Sequence, residues 1–534
     1  MLIMTFYLAF GRRYIVVTTL FLVCIVPHVY SLMAVVKTET PLRTFVRFVG
    51  PAVLIPIITI VVYGWLAFEV LFWIYFLIQR RRLQQPRYPT RRLTKDERTA
   101  LFWNCVHTIK DPEEWCVGWF YRRHDCSHPA FTEIRRENFA LWFAWAFWHD
   151  ELDKVRENSE DAAELEWMMN TAESRFQVKV LPGFNDQLQC IRLSLDPVQA
   201  VHRPLIMYAA IYCGTALFNT LFLEWSWHMK RLGSRSAGVL WGGFFGFLEE
   251  CREMIWPSAT DSAPKKDRAH KHKHLVYWYY EPSSPVSAKQ TPIVFIHGIG
   301  AGLLCYGEFM HHLLGLGRPV FCVELPYVAM HMVEHVPTAD ETVEEIVAML
   351  ETHGYPRAVL VGHSLGTAVA SWVAQAVPDK VAGMVMIDPI CFLLHYHHVG
   401  FNFVHRTPKR LLEYLMHYLA SRELHISYYI SRHFQWFQTI YFVRNLGKEQ
   451  VSKRGDDFDP QDPLSNTTVF LSEKDGIVDS PLVAQYLQQN HVDARIMPGL
   501  QHAAFLINWK WRQQIIHRIE ETARNIDDEG IRST

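Results

Sequence analysis

The chain has 534 residues, half of them hydrophobic, and its 53 Lys and Arg residues nearly balance 54 Asp and Glu residues. This length accommodates two or three domains, and the balanced charge gives no indication of a nucleic-acid-binding protein. The ten scattered cysteines show neither the paired spacing of a zinc site nor a compact disulfide framework.

Two long apolar segments stand near the N-terminus. Residues 14–36 contain no Asp, Glu, Lys or Arg, and residues 51–78 contain only Glu69. Each segment exceeds the roughly 20 helical residues that cross a hydrocarbon core about 30 Å thick. The first segment is long and lacks a clear cleavage site, which argues against a signal peptide. The sequence therefore predicts a membrane anchor, residues 1–92, with two transmembrane helices.

Basic residues are distributed unequally around these two segments. Seven Lys and Arg residues lie within residues 80–95, against three in the short loop between the segments and two before the first segment. The positive-inside rule therefore predicts a multi-pass protein in which the rest of the chain faces the cytosol. The predicted location is the endoplasmic reticulum or another endomembrane.

Residues 93–256 are predicted to form a helical, Trp-rich region. Thr94 and Glu97 form a capping-box pattern that begins a helix, and residues 132–148 carry apolar side chains at three- and four-residue spacing. Residues 205–223 lack charge over a length that could cross a bilayer. Their Tyr, Cys, Asn and Thr residues favour a buried or interface-lying helix, and a third crossing or re-entrant segment is the alternative.

Residues 257–274 combine Pro and Ser with a run of alternating basic and His residues. This composition is typical of a solvated linker between domains. Metal binding by the histidines and contact with anionic lipid remain open as alternatives.

The pentapeptide 362–366, Gly-His-Ser-Leu-Gly, follows the apolar run 358–361 and precedes the helix-like stretch 367–377. A strand, a sharp turn and a helix in this order form a nucleophile elbow, which lifts a serine hydroxyl above a parallel sheet. The pentapeptide alone arises by chance in roughly one of five chains of this length, so its context decides. Ser364 is the candidate nucleophile, and an ordinary helix N-cap is the alternative.

Short apolar strands surround this pentapeptide, and their order along the chain is informative. They are predicted at residues 292–296, 381–387, 467–471 and 495–497. The first strand runs into the turn 297–300, His-Gly-Ile-Gly, whose backbone N–H groups could face an oxyanion. Asp475 follows the third strand and His502 follows the last one, which gives the chain order Ser, Asp, His.

These residues together resemble the α/β-hydrolase superfamily over residues 275–520. The matched positions are the turn at His297, the elbow at Ser364, the acidic segment at Asp475 and the turn at His502. The resemblance implies a mostly parallel sheet with helices on both faces, with the chemistry carried by loops at the carboxyl ends of the strands. Epoxide and haloalkane hydrolases of this fold use an aspartate at the elbow, so the serine disfavours those reactions.

The predicted catalytic residues are Ser364, His502 and Asp475. A serine hydroxyl is a poor nucleophile at neutral pH, so it needs an imidazole base, which a carboxylate orients and stabilises. The backbone N–H groups of Leu365 and Ile299 form the predicted oxyanion hole, at roughly 2.7–4 kcal/mol per donor in comparable sites. This chemistry requires neither a metal nor a cofactor.

Other residues could occupy the same roles. Asp388 also ends a predicted strand and is the alternative acid, whereas Asp479 is predicted to cap the helix that follows it. His491 is the alternative base, although His502 alone lies in a turn after the last predicted strand. His363, inside the pentapeptide, is interpreted as a packing residue.

The predicted hydrolase domain, residues 275–524, contains an insertion at residues 390–462 that is far longer than an ordinary loop. Its many aromatic and leucine residues predict a helical lid that suits a lipophilic substrate, and a plain packing layer is the alternative. A polar tail is predicted at residues 525–534.

The sequence thus predicts a membrane-anchored serine hydrolase that cleaves carboxylic esters of lipophilic or lipid substrates through an acyl-enzyme. An acyltransferase with the same residues and a non-catalytic membrane scaffold are the alternatives.

Overall fold

The structure is a computed structural model that describes residues 50–86, 91–234, 274–284, 289–443 and 463–532. The chain divides into two compact units, Met1–Ile74 and Tyr75–Thr534. The first predicted transmembrane helix, residues 14–36, lies outside the described residues, and so does the basic linker before residue 274.

Helix α1, Gly50–Arg82, contains the second predicted transmembrane segment. Its part Ile58–Arg82 has the length and apolar composition of a membrane-crossing helix. Large apolar side chains are exposed along much of this part, Ile60 and Tyr63 among them. The helix ends in three consecutive arginines, which belong to the basic cluster that follows the second apolar segment in the sequence.

Residues 91–234 are mainly helical. The helices are α2 (Lys95–Thr108), α3 (Pro112–Gly118), α4 (Arg136–Phe143), α5 (Leu152–Glu157), α6 (Ser159–Phe176) and α7 (Leu205–Phe218). Both α4 and α7 continue as wider π-helical turns, Ala144–Trp148 and Asn219–Ser226. Strands β1 (Phe120–Arg122) and β2 (Leu188–Cys190) form a small antiparallel pair.

Of the two helix starts predicted in this region, the one at Thr94 agrees with the structure and the one at residue 132 does not. The capping box is present, since the Thr94 hydroxyl accepts the N–H of Glu97 and the Glu97 carboxylate accepts the N–H of Thr94. The helix predicted from residue 132 begins only at Arg136. The reason is local, because the side-chain oxygen of Asn138 accepts the extended N–H of Arg135 and starts the helix there.

Within the described residues, the central sheet has eight strands. They are β3 (Lys230–Gly233), β4 (Val276–Tyr280), β5 (Ile293–Ile296), β6 (Val320–Glu324), β7 (Ala358–His363), β8 (Val381–Ile387), β9 (Thr467–Ser472) and β10 (Asp493–Met497). Their spatial order is β10-β9-β8-β7-β5-β6-β4-β3. The six strands from β10 to β6 are parallel, whereas β4 pairs antiparallel with β6, and β3 at the edge pairs antiparallel with β4. The sheet therefore includes β3, a strand that precedes the predicted domain boundary at residue 275.

Helices cover both faces of this sheet. The helices that follow α7 are α8 (Gly307–Leu314), α9 (Ala339–Thr352), α10 (Leu365–Ala376), α11 (Leu411–Met416), α12 (Leu424–Arg432), α13 (Trp436–Thr439), α14 (Ser480–Gln489) and α15 (Trp509–Arg532), of which α11, α12 and α13 belong to the insertion. Alternate residues of β5 face opposite cores, with Val294 and Ile296 in one cluster and Ile293 and Phe295 in the other. A strand buried on both faces needs an unbroken apolar run, which explains the sequence of β5.

The predicted polar tail is in fact part of the last helix, because α15 continues to Arg532. Ile526 is buried in the core beneath the sheet. The carboxylate of Asp527 binds Arg318 at 2.5 Å and accepts the hydroxyl of Thr291 at 2.7 Å. Core packing of Ile526 and the ion pair and hydrogen bond of Asp527 therefore hold the beginning of this polar segment.

The described part of the insertion packs against the N-terminal helical region through buried polar contacts. Arg432, 1% exposed, donates hydrogen bonds to the carbonyl oxygens of Gln84, Gln85, Ser194, Asp196 and Ser431. The indole N–H groups of Trp115 and Trp119 both donate to the carbonyl of His395. These two parts of the chain therefore form one layer over the carboxyl ends of the strands.

We expect Arg432→Met to destabilise this layer by on the order of 3 kcal/mol, because the substitution leaves several buried carbonyl groups without a donor. Thermal unfolding of the detergent-solubilised protein should show the loss as a lower midpoint. Arg524→Met is the matched control, since Arg524 is exposed and its pairing with Glu520 lies on the surface. Equal midpoints for the two variants would contradict the structural role of Arg432.

Candidate active site

The strand β7 and the helix α10 meet at Ser364, which has φ 51° and ψ −119°. This backbone conformation is strained for any residue with a side chain. The surroundings hold it in place, because the Ser364 N–H donates to the carbonyl of Ile387 at 3.0 Å and its own carbonyl accepts the Thr367 hydroxyl at 2.6 Å. Ser364 therefore belongs to a rigid elbow.

Three glycines make this elbow sterically possible. A Cβ atom at Gly366 would lie 2.1 Å from the carbonyl oxygen of Ile296, and one at Gly362 would lie 2.8 Å from the carbonyl oxygen of Gly366. A Cβ atom at Gly298 would lie 2.9 Å from the Cβ atom of Ser364. The turn after β5 and the elbow after β7 thus approach each other more closely than side chains allow.

The structure brings the three predicted catalytic residues together. Ser364 Oγ lies 2.9 Å from His502 Nε2, and His502 Nδ1 lies 2.7 Å from Asp475 Oδ2. The other oxygen of Asp475 accepts the N–H groups of Ile477 and Val478 at 2.7 and 3.0 Å. Since a carboxylate only accepts, Nδ1 carries the proton and a neutral ring presents the lone pair of Nε2 to the serine.

The charge of Asp475 makes this imidazole a stronger base than a free histidine. Burial by itself lowers the pKa of His502, but the charge of Asp475 and its hydrogen bond outweigh burial. Together with the more distant Asp388 they raise the pKa of His502 to about 9. The Asp475 carboxylate is fully enclosed, which strengthens the interaction because no water screens it.

Asp388, the alternative acid, binds the loops around the site. Its Oδ1 accepts the N–H of Ser472 at 2.8 Å, and its Oδ2 accepts the Ser472 hydroxyl at 3.1 Å and the N–H of Ala503 at 2.9 Å. Burial is the main reason that the pKa of Asp388 is raised to about 6. The positive charge of His502 lowers this pKa, and the negative charge of Asp475 raises it. This carboxylate therefore fixes the residues that follow β9 and those that follow His502.

A cavity of about 1090 Å³ is lined by Ser364 and His502. Leu365 and Ile299, the predicted oxyanion donors, also line it. Its apolar walls include Trp119, Trp145, Leu394, Phe403, Leu415 and Trp436. Sequence reasoning missed the two tryptophans of the N-terminal region, because no local pattern relates them to an elbow so far along the chain.

A family model described as the alpha/beta hydrolase fold matches residues 291–511. This part of the chain belongs to the α/β-hydrolase superfamily. The α/β-hydrolase domain is similar to Lipase LipV of Mycobacterium tuberculosis, 33% identical over 117 residues that cover 21% of this chain and 40% of the relative. It is also similar to the (Lyso)-N-acylphosphatidylethanolamine lipase of Homo sapiens, 34% identical over 125 residues that cover 21% of this chain and 34% of the relative. The matches thus span less than half of either relative.

Among solved structures, the monoacylglycerol lipase of Paleococcus ferrophilus aligns with 47% of this chain and 99% of its own length. The sequence identity of that alignment is 16% and its TM-score is 0.33. The strand order and the elbow are features of this chain and do not depend on that alignment.

Two other histidines of the hydrolase domain lie close to the elbow. The Nδ1–H group of His297 donates to the carbonyl of Gly298 at 2.7 Å, while its Nε2 accepts the N–H of Leu325 at 2.9 Å. The ring of His363 contacts the hydroxyl of Tyr306 at 2.7 Å, and that hydroxyl also accepts the N–H of Gly298 at 3.0 Å. Burial holds both pKa values below the usual range. Tyr306, which no sequence pattern singled out, therefore links His363 to the turn after β5.

The remaining candidates lie at structural positions. Asp479 caps α14, because its carboxylate accepts the N–H of Leu482 at 3.1 Å. His491 is exposed in the turn between α14 and β10. The position of Asp479 agrees with the predicted helix cap. Of the two candidate bases, His502 is the one that contacts Ser364.

Ligand atoms of Asp388, Asp475 and His502 all lie within 4.8 Å of one another, a spacing that could also suit a metal ion. The carboxylate oxygens, however, already accept backbone N–H groups of Ser472, Ala503 and Ile477. A cation would compete with these donors for the same oxygens. The donor set therefore fits acid–base chemistry better than metal binding.

The raised pKa of His502 predicts a pH-dependent rate. Only the neutral ring accepts a proton from Ser364, so kcat/KM for a soluble ester should rise by about tenfold or more from pH 7 to pH 9. The contribution of the ion pair to stability has the opposite trend. This contribution is fully present at pH values below about 6.5, the usual pKa of an unfolded histidine. It is lost as the pH rises through about 9, the pKa of His502 in the folded protein.

We expect Asp475→Asn to move the midpoint of this profile to lower pH and to reduce the plateau rate on the order of 10⁴-fold. The physical reason is that the variant loses both the charge and the tautomer-specific acceptor at His502 Nδ1. Asp479→Asn is the control, since Asp479 caps a helix. An unchanged midpoint in Asp475→Asn would show that another group sets the profile.

Proposed function

We propose that the protein is a membrane-anchored serine hydrolase that cleaves carboxylic esters of lipophilic or lipid substrates. One observation carries the proposal: a serine in a strained elbow contacts a histidine at 2.9 Å, and that histidine contacts a buried carboxylate at 2.7 Å. This order of contacts is the one that nucleophilic acyl transfer needs. A helix N-cap requires none of them.

The proposed reaction has two halves. Ser364 Oγ attacks the ester carbonyl carbon while His502 Nε2 takes the hydroxyl proton, and the oxyanion forms opposite the backbone N–H groups of Leu365 and Ile299. The C–O bond to the alcohol then breaks, and His502 returns the proton to the departing alkoxide. A water molecule attacks the acyl-enzyme with the same base, and the carboxylic acid leaves as Ser364 regains its proton.

The apolar cavity supports a lipophilic acyl group. Its walls combine aromatic side chains of the N-terminal region with leucines and aromatic residues of the insertion. Each buried CH₂ group contributes about 0.8 kcal/mol, so a long chain gains far more from this cavity than a short one. The names of the two relatives, both lipases, support the same substrate class.

We expect Ser364→Ala to abolish both covalent labelling by a fluorophosphonate and ester turnover, because the attacking oxygen is lost. Ser371→Ala is the matched control on the same helix, since the Ser371 hydroxyl donates to the carbonyl of Ala368 within the helix. The control should label as the wild type does, as seen by gel fluorescence. Labelling of Ser364→Ala at the wild-type level would refute the assignment of the nucleophile.

We further propose that the chain is anchored by residues 14–36 and by Ile58–Arg82, with the hydrolase domain in the cytosol. Helix α7 together with its π-helical continuation, Leu205–Ser226, also has the length and composition of a crossing helix. Its Tyr208, however, donates at 2.6 Å to the buried carboxylate of Glu423, and Arg203 just before it donates to the carbonyl of Tyr418. Hydrocarbon around these charged groups would be costly, which favours α7 as a helix at the surface of the domain.

Membrane fractionation tests this topology. The protein should resist carbonate extraction, and a protease added to sealed microsomes should digest the chain from residue 96 to residue 534. The basic cluster after the second segment is the physical reason, because cytosolic flanks retain Lys and Arg. Protection of this region until detergent is added would refute the cytosolic orientation and favour α7 as a further crossing.

A further inference from the structure

The mouth of the mainly apolar cavity contains several positive charges. Arg406, Arg410 and Lys474 line the cavity, and Glu413 is the carboxylate that lines it beside them. Arg406 and Arg410 belong to the insertion, while Lys474 directly precedes Asp475. Two separate parts of the chain therefore place cations around the same opening.

Arg406 is the most enclosed of these cations, with its side chain 25% exposed. Its Nη1 group contacts Asn402 Oδ1 at the long distance of 3.4 Å. Its Nη2 group is buried and has no hydrogen-bond partner among the residues that the structure describes. The guanidinium lies beside the acid loop, since a Cβ atom at Gly476 would be 3.5 Å from Nη2.

Glu413 does not neutralise this group effectively. One of its oxygens accepts the backbone N–H groups of Lys409 at 2.7 Å and Arg410 at 3.1 Å, which starts helix α11. The other oxygen lies 3.9 Å from Arg406 Nη2, beyond hydrogen-bond distance. The lining of the cavity thus contains three Lys and Arg side chains and one Glu carboxylate, which already accepts the N–H groups at a helix start.

A buried guanidinium N–H without an acceptor is costly, because it has lost water and gained nothing in return. A neutral ester offers only weak carbonyl acceptors at this position. A phosphate diester carries a full negative charge, and two of its oxygens match the fork of the guanidinium. An anionic substrate would therefore gain binding energy here that a neutral ester with the same acyl chains would not.

We infer that Arg406, together with Arg410 and Lys474, binds the phosphate diester of a glycerophospholipid substrate while its acyl chain occupies the apolar cavity. This inference rests on the proposed ester hydrolysis and specifies its substrate class. The phosphate belongs to the substrate itself and not to a neighbouring lipid of the membrane.

The test compares two esters with identical acyl chains, dihexanoylphosphatidylglycerol and dihexanoylglycerol, both below their micelle concentrations. The wild type should prefer the anionic ester by about tenfold or more in kcat/KM, with the difference mainly in KM, and added salt should reduce the preference. Arg406→Gln should remove most of this preference, and Arg406→Lys should retain part of it because the charge remains. Lys409→Gln, an exposed neighbour that does not line the cavity, is the control and should keep the full preference.

Equal kcat/KM values for the two esters in the wild type would overturn the inference and leave ester hydrolysis standing. Stimulation of dihexanoylglycerol hydrolysis by vesicles of ether-linked phosphatidylglycerol, without discrimination between the monomeric esters, would also overturn it, because the phosphate would then come from the membrane. Absence of fluorophosphonate labelling would instead refute the proposed function. In that case, calorimetric binding of a short ether-linked phosphatidylglycerol decides the inference separately. It should be weakened about tenfold or more by Arg406→Gln, and equal binding would overturn it.

Discussion

The whole site depends on two backbone turns that approach each other more closely than side chains permit. Gly366 lies against the carbonyl of Ile296, and Gly298 lies against Ser364. This contact joins the ends of β5 and β7, which are neighbours in the sheet. It fixes the serine in a left-handed conformation and sets the turn that carries Ile299 beside it. Any larger residue at these glycines would separate Ser364, the predicted nucleophile, from the predicted oxyanion donors.

A second constraint is electrostatic, because one imidazole lies between two buried carboxylates. Asp475 contacts the ring directly, whereas Asp388 bonds the backbone of the two flanking loops. The division of roles follows from their hydrogen bonds, since the Asp388 oxygens are occupied by N–H and O–H donors. The pKa of Asp388 rises on burial, while the pKa of His502 rises because both charges attract its proton. Environment alone thus gives two identical side chains different tasks.

The cover of the cavity is built from segments that are distant in the sequence. Arg432 of the insertion bonds carbonyl groups that follow α1 and precede α7, and Trp436 donates to the carbonyl of Ala146. Such buried contacts hold the insertion to the N-terminal helical region as one layer. A lid that carries its own fixed partners shapes the cavity more rigidly than a hinged flap would. This layer also brings the cation Arg406 to the opening.

The sequence by itself determined the elements that have a local cause. Apolar runs gave the strands, the glycine spacing gave the elbow at Ser364, and chain order gave His502 and Asp475 as candidates. The tertiary structure shows that Asp475 contacts the ring of His502 and that Asp388 bonds the neighbouring loops; both follow adjacent strands, and only loop geometry determines which oxygen reaches the ring. It also decided that residues 525–532 are helical, with Ile526 in the core, and that Tyr306 contacts the turn after β5 and His363. Each of these results depends on contacts between residues far apart in the chain, which no local pattern encodes.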